Sequence, residues 1–171
     1  KFSYRLNDLG MDIPESFRVC AKYTLLDNLE AQLAKIKTYS DKPAIEKILE
    51  IKKLTDKFHI SLNNSKARDI LSQNLSDLIS QLKTHTNLKT AQELLHFFDL
   101  LEQLQIDTKI NVAQDIFYDM FCHNFEESFD RISKETKDAR KLLLNLLEIG
   151  RRLNINMDFY QGKVDSLTGK I

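Results

Sequence analysis

Ala67-Arg68-Asp69-Ile70-Leu71 and Ala113-Gln114-Asp115-Ile116-Phe117 stand 46 residues apart, and Ala21 precedes Ala67 by another 46. Leu25, Leu71 and Phe117 keep the same register, as do Leu29, Leu75 and Phe121, and Gly162 follows Ala113 by 49. A second register runs through short linkers: Met11-Asp12-Ile13, His59-Ile60-Ser61, Gln105-Ile106-Asp107 and Asn154-Ile155-Asn156, with isoleucines 47, 46 and 49 apart. A small residue lets two helix backbones approach at one crossing, and large residues four and eight positions on fill the space where they diverge. Two registers of different chemistry agreeing on one period point to a helical hairpin repeated about every 46 residues. One such hairpin cannot bury its own apolar stripe, so neighbours must stack, as a curved array or a closed bundle.

Composition agrees. The 171 residues hold 26 leucines but three valines, and four glycines with two prolines. Leucine loses little rotamer freedom in a helix, whereas valine is stiff at its first side-chain torsion and favours strands. The expected fold is therefore all-α, with six to seven helices in antiparallel hairpins. At this length about 70% of the unfolded chain's surface can be buried, enough for a core without staples. We read residues 1–171 as one domain of about three and a half hairpin units, a fragment of a longer protein.

Helix starts are marked by Pro14-Glu15, by Asp41 with Pro43, by Asn63, by Asn87 or Thr90, and by Asp107-Thr108. Pro suits the first turn, where its missing N–H costs nothing, and Asn, Asp and Thr can accept from orphan backbone N–H groups. The first helix carries Phe17, Cys20, Ala21, Thr24, Leu25, Leu29, Leu33 and Ile36 inward and ends near Thr38-Tyr39-Ser40. The sixth runs from about Ser133 to Leu153, and a short seventh follows Asn156. Cys20 and Cys122 fall in apolar-periodic segments and are expected buried and reduced.

Twenty-five basic residues balance 25 acidic ones. A nucleic-acid binder shows a basic excess, because phosphate contacts dominate its affinity, so no nucleic acid is expected. No apolar run approaches 18 residues, so no membrane span is expected either, and the location is read as cytoplasmic.

Candidate chemistry is sparse. Glu93-Leu94-Leu95-His96 places a carboxylate and an imidazole on one helix face, but a di-iron bundle needs a second such pair and two more glutamates. Asp119, His123, Glu126 and Glu127 form a local polar cluster, and Asp119 with His123 reads as a pair across one turn. No phosphate-cradling glycine loop, nucleophile elbow or clustered metal ligands occur. We therefore expect no catalytic, cofactor or metal residues. The Asn63-Asn64-Ser65 and Asn74-Leu75-Ser76 glycosylation patterns fall at a cap and within a helix, and read as chance. Phe117, Phe121, Phe125 and Phe129 read as core at helical spacing. Gln114, Tyr118 and Tyr160 are the candidates for a polar-aromatic surface. Arg140-Lys141 and Arg151-Arg152 could contact an acidic partner, although cations near a helix C-terminus also suit its dipole.

Three stretches carry a family resemblance: Leu9-Gly10-Met11-Asp12-Ile13-Pro14-Glu15 with Leu25-Leu26-Asp27-Asn28-Leu29-Glu30, Ile106-Asp107 with Ile110-Asn111-Val112-Ala113-Gln114-Asp115-Ile116-Phe117-Tyr118, and Leu153-Asn154-Ile155-Asn156-Met157-Asp158-Phe159-Tyr160. Together they resemble the helical C-terminal region, a domain of unknown function, that follows the catalytic barrel in family 57 glycoside hydrolase-like proteins. Val112 stands where that family tends to have Trp, and the family's catalytic carboxylates belong to the barrel, so none is carried over. The resemblance implies a non-catalytic accessory module of a larger carbohydrate-active protein, partnered by its own catalytic domain. The alternative is a helical-repeat scaffold for a protein partner, with no enzymatic role.

Overall fold

The computed structural model describes residues 14–36, 41–132 and 137–168, with side chains for 14–36, 41–122 and 138–165. Every described element is a helix: α1 Glu15–Leu33, α2 Lys42–Lys57, α3 Ser65–Thr84, α4 Leu88–Leu104, α5 Asn111–Ile132, α6 Lys137–Arg152 and α7 Asp158–Thr168. Short linkers make α1/α2, α3/α4 and α5/α6 antiparallel neighbours. Across hairpins, α1 packs on α3 and α3 on α5, while α4 packs on α6. The all-α fold expected from the leucine pattern is what forms.

The isoleucine register has a stereochemical origin. His59, Gln105 and Asn154 adopt left-handed backbone, with φ of 53°, 55° and 57°. The His59 N–H donates to the Asp56 carbonyl (3.2 Å) and Ile60 N–H to Thr55 (2.8 Å); Asn154 N–H donates to Arg151 (2.8 Å) and Ile155 N–H to Gly150 (2.9 Å). These paired bonds are the Schellman cap, which satisfies orphan carbonyls and turns the next residue back onto the helix it has left. Gln105 makes the simpler version, donating to Leu101 at 3.1 Å. The following isoleucines are the returning residues: Ile60 and Ile106 are buried and Ile155 packs against the core. Helix α2, α4 and α6 thus end alike.

The starts differ from expectation in two places. Asn64, not Asn63, caps α3, its Oδ1 accepting from Ala67 N at 2.7 Å, while Asn63 Oδ1 accepts from Arg68 Nη2. Asp107-Thr108 does not open α5. Thr108 Oγ1 donates to the Ile106 carbonyl, tightening the linker, and the helix begins at Asn111. Asn87 and Thr90 cap α4 together as a reciprocal box. Asp41 and Pro14 occupy N-cap positions without a side-chain capping hydrogen bond to the helix. Helix α1 closes at Leu33, earlier than expected; Thr38, Tyr39, Ser40, Ser133 and the Met11-Asp12-Ile13 linker lie outside the described residues.

The core is aliphatic with a few rings. Leu29, Ile48, Leu71, Leu75, Ile79, Leu82, Phe97, Phe117 and Leu147 are all at 0% exposure. Each such side chain contributes about 1.5–3 kcal/mol on burial, against about 0–1 kcal/mol for an exposed ion pair. The apolar stripes therefore hold the hairpins together, and polar contacts between hairpins set their register. Gly150 belongs to this packing: a Cβ there would lie 1.9 Å from Met157 Cε.

Ala67 and Ala113 are at 0% exposure, as the small-residue register requires, but Ala21 is only half-buried. Phe17, Cys20 and Thr24, expected inward, are exposed. The physical reason is positional: periodicity marks which helix face is apolar, and among the described residues no hairpin precedes α1 to cover it. Cys122 is half-buried rather than buried, and both thiols are free.

Candidate interaction surface

Helix α1 packs on α3 and α3 on α5, so residues 46 apart along the three can be compared position by position. On the side facing the next hairpin, Leu26 and Glu30 of α1 correspond to Ser72 and Ser76 of α3 and to Tyr118 and Cys122 of α5. Glu30 accepts from Asn64 Nδ2 at 3.3 Å and pairs with Lys66, tying α1 to the start of α3. Asn74 Nδ2 donates to the Leu33 carbonyl, tying α3 to the end of α1. Asn74 is thereby engaged within the fold.

Between α3 and α5 the small serines leave an open crease of about 530 Å³. Its floor is a ladder along one face of α3. Ser72, Ser76 and Ser80 each donate a hydroxyl proton to the carbonyl four residues back, at 2.7–3.0 Å. Bonds cross it at two points: Lys109 reaches both Ser72 Oγ through its backbone N–H (3.0 Å) and Asp69 through Nζ (2.9 Å), and Lys83 Nζ pairs with Asp119 at 2.6 Å. Val112 and Ile116 form part of the α5 wall.

At the other side of α5 the larger residues close the gap to α7. Tyr160 sets its ring edge against Phe121, with centroids 4.9 Å apart, and its Oη lies 3.5 Å from Cys122 Sγ. Hydrogen bonding to the Cys122 thiol, then its charge, raises the Tyr118 phenol above the usual tyrosine range. Gln114 Nε2 donates to the Leu153 carbonyl at 2.6 Å. Of Gln114, Tyr118 and Tyr160 only Tyr118 is exposed; Gln114 ties α5 to the end of α6, and Tyr160 seats α7 on α5. Phe159, not singled out from the sequence, is 68% exposed beside them, with Lys163 Nζ 4.9 Å from its ring centre.

The two arginines diverge. Arg151 donates to Gln161 Oε1 at 3.0 Å on α7. Arg152 turns to α4, reaching Glu102 at 2.6 Å and Asp99 at 3.3 Å, with Glu148 of its own helix at 3.1 Å. Burial opposes its charge, but these carboxylates outweigh that and raise its pKa further. A guanidinium committed to three carboxylates is an internal clamp between hairpins.

His96 is exposed and Glu93 half-buried on α4. Among the described residues no group of three His, Cys, Asp or Glu side chains is placed to hold a metal ion. Asp119 pairs with Lys83, and the side chains of His123, Glu126, Glu127, Phe125 and Phe129 lie outside the described residues. No described helix is long and apolar enough to cross a membrane.

The exposed apolar residues of α1 stand apart from these internal contacts. Phe17 is 56% exposed and Cys20 is exposed. Their register equivalents do structural work further along: Lys66 corresponds to Cys20 and Lys109 to Phe17, and each lysine pairs with a carboxylate on the preceding helix of the stack. The other equivalents are Asn63 for Phe17 and the exposed Val112 for Cys20, so each of these positions holds a cation in one later unit only. No protein-family model, curated protein or solved structure matches the chain.

Proposed function

We propose that this chain is a non-catalytic helical module that works by docking its α1 edge against another protein surface, either the catalytic domain of a longer protein or a separate subunit. The observation that carries the reading is the half-buried Ala21 beside exposed Phe17 and Cys20, 46 and 92 residues before Ala67 and Ala113, which are fully buried. The polar groups described between hairpins support it too, since they bond to one another. An apolar edge without a matching carboxylate partner suits a covering surface that is itself apolar.

Cys20 offers the test. In a Cys122→Ser background a thiol-directed photo-crosslinker on Cys20, in an extract of the source cells, should yield one stoichiometric protein adduct. The adduct should vanish with Phe17→Asp and be absent when the thiol is moved to exposed Gln103 in a Cys20→Ser variant. No adduct, or the same adducts from both positions, overturns the proposal.

A second reading makes that partner the barrel of a carbohydrate-active protein. Its support is the resemblance carried by Ile106-Asp107, Ile110–Tyr118 and Leu153–Tyr160, which line the α5 and α7 starts. A barrel encoded directly upstream of Lys1 supports it; a reading frame without one removes it.

A further inference from the structure

We draw no further inference here: the strongest candidate, the crease between α3 and α5 floored by Ser72, Ser76 and Ser80, is a stripe of small residues whose hydroxyl protons are committed to their own helix, and nothing in the structure shows what covers it.

Discussion

Gln114 Nε2 donates to the Leu153 carbonyl oxygen across 2.6 Å, joining the second turn of α5 to the residue that ends α6. The last carbonyls of a helix have no intrahelical donor, so this amide closes an end that the backbone alone leaves open. Gln114→Met keeps the shape and removes the donor. It should destabilise the fold by about 1–3 kcal/mol, the cost of a part-buried carbonyl left unsatisfied, read by urea denaturation. A change below about 0.5 kcal/mol would mean that water replaces the amide.

Left-handed backbone at Gln105 and Asn154 makes the same demand on two side chains that meet it unequally. A residue with a Cβ is strained there by about 1–2 kcal/mol, and Asn is among the few that tolerate it. Gln105→Gly should therefore raise stability by up to about 1 kcal/mol, net of glycine's greater freedom when unfolded. Asn154→Gly should gain less. Thermal unfolding of the two variants, with Gln105→Gly the more stable, checks the cap geometry.

How much of this could be read from the residues alone depends on what each pattern encodes. Ile60, Ile106 and Ile155 were legible as a register because each must return to the core after a left-handed turn. The turn residues themselves, His59, Gln105 and Asn154, share no type, so the signal lay only in their place before the isoleucine. Ala67 and Ala113 were legible as buried positions because small residues recur there on the apolar face. Phe17 and Cys20 were misplaced inward, since a helical period reports an apolar face and not the element that covers it. The pairing of Glu30 with Asn64 and Lys66 was also beyond reach, because it depends on how one hairpin is offset from the next. Of the five surface candidates, Tyr118 is open, while Arg152 and Gln114 are engaged across elements by contacts that no spacing rule encodes.

Arg152 links α6 to α4 through Glu102 and Asp99. Arg152→Met should cost about 1 kcal/mol, because partly exposed ion pairs contribute little singly but share one guanidinium here. Arg152→Lys should recover only part, since an ammonium lacks the planar fork. The raised pKa means that this contribution is complete below the unfolded arginine value and is lost only as pH rises through it. Titration of Arg152 should therefore give stability no pH dependence near neutral pH. The difference between wild type and Arg152→Met should instead shrink with added salt.

Tyr118 should ionise above the ordinary tyrosine range, because hydrogen bonding to Cys122 favours the neutral phenol. Cys122→Ala should return its titration toward about 10, followed by ultraviolet absorbance against a Tyr118→Phe control. Unchanged titration would separate the two side chains.

The account rests on small residues held at fully buried positions in α3 and α5, Ala67 and Ala113, against a half-buried Ala21 in α1. The direct measurement is the unfolding free energy of three single variants, Ala21→Leu, Ala67→Leu and Ala113→Leu. Overpacking the two sealed crossings should cost about 1–3 kcal/mol each, while the half-open Ala21 position should change by no more than about 0.5 kcal/mol. Equal losses at all three positions, or neutral substitutions at Ala67 and Ala113, would contradict it.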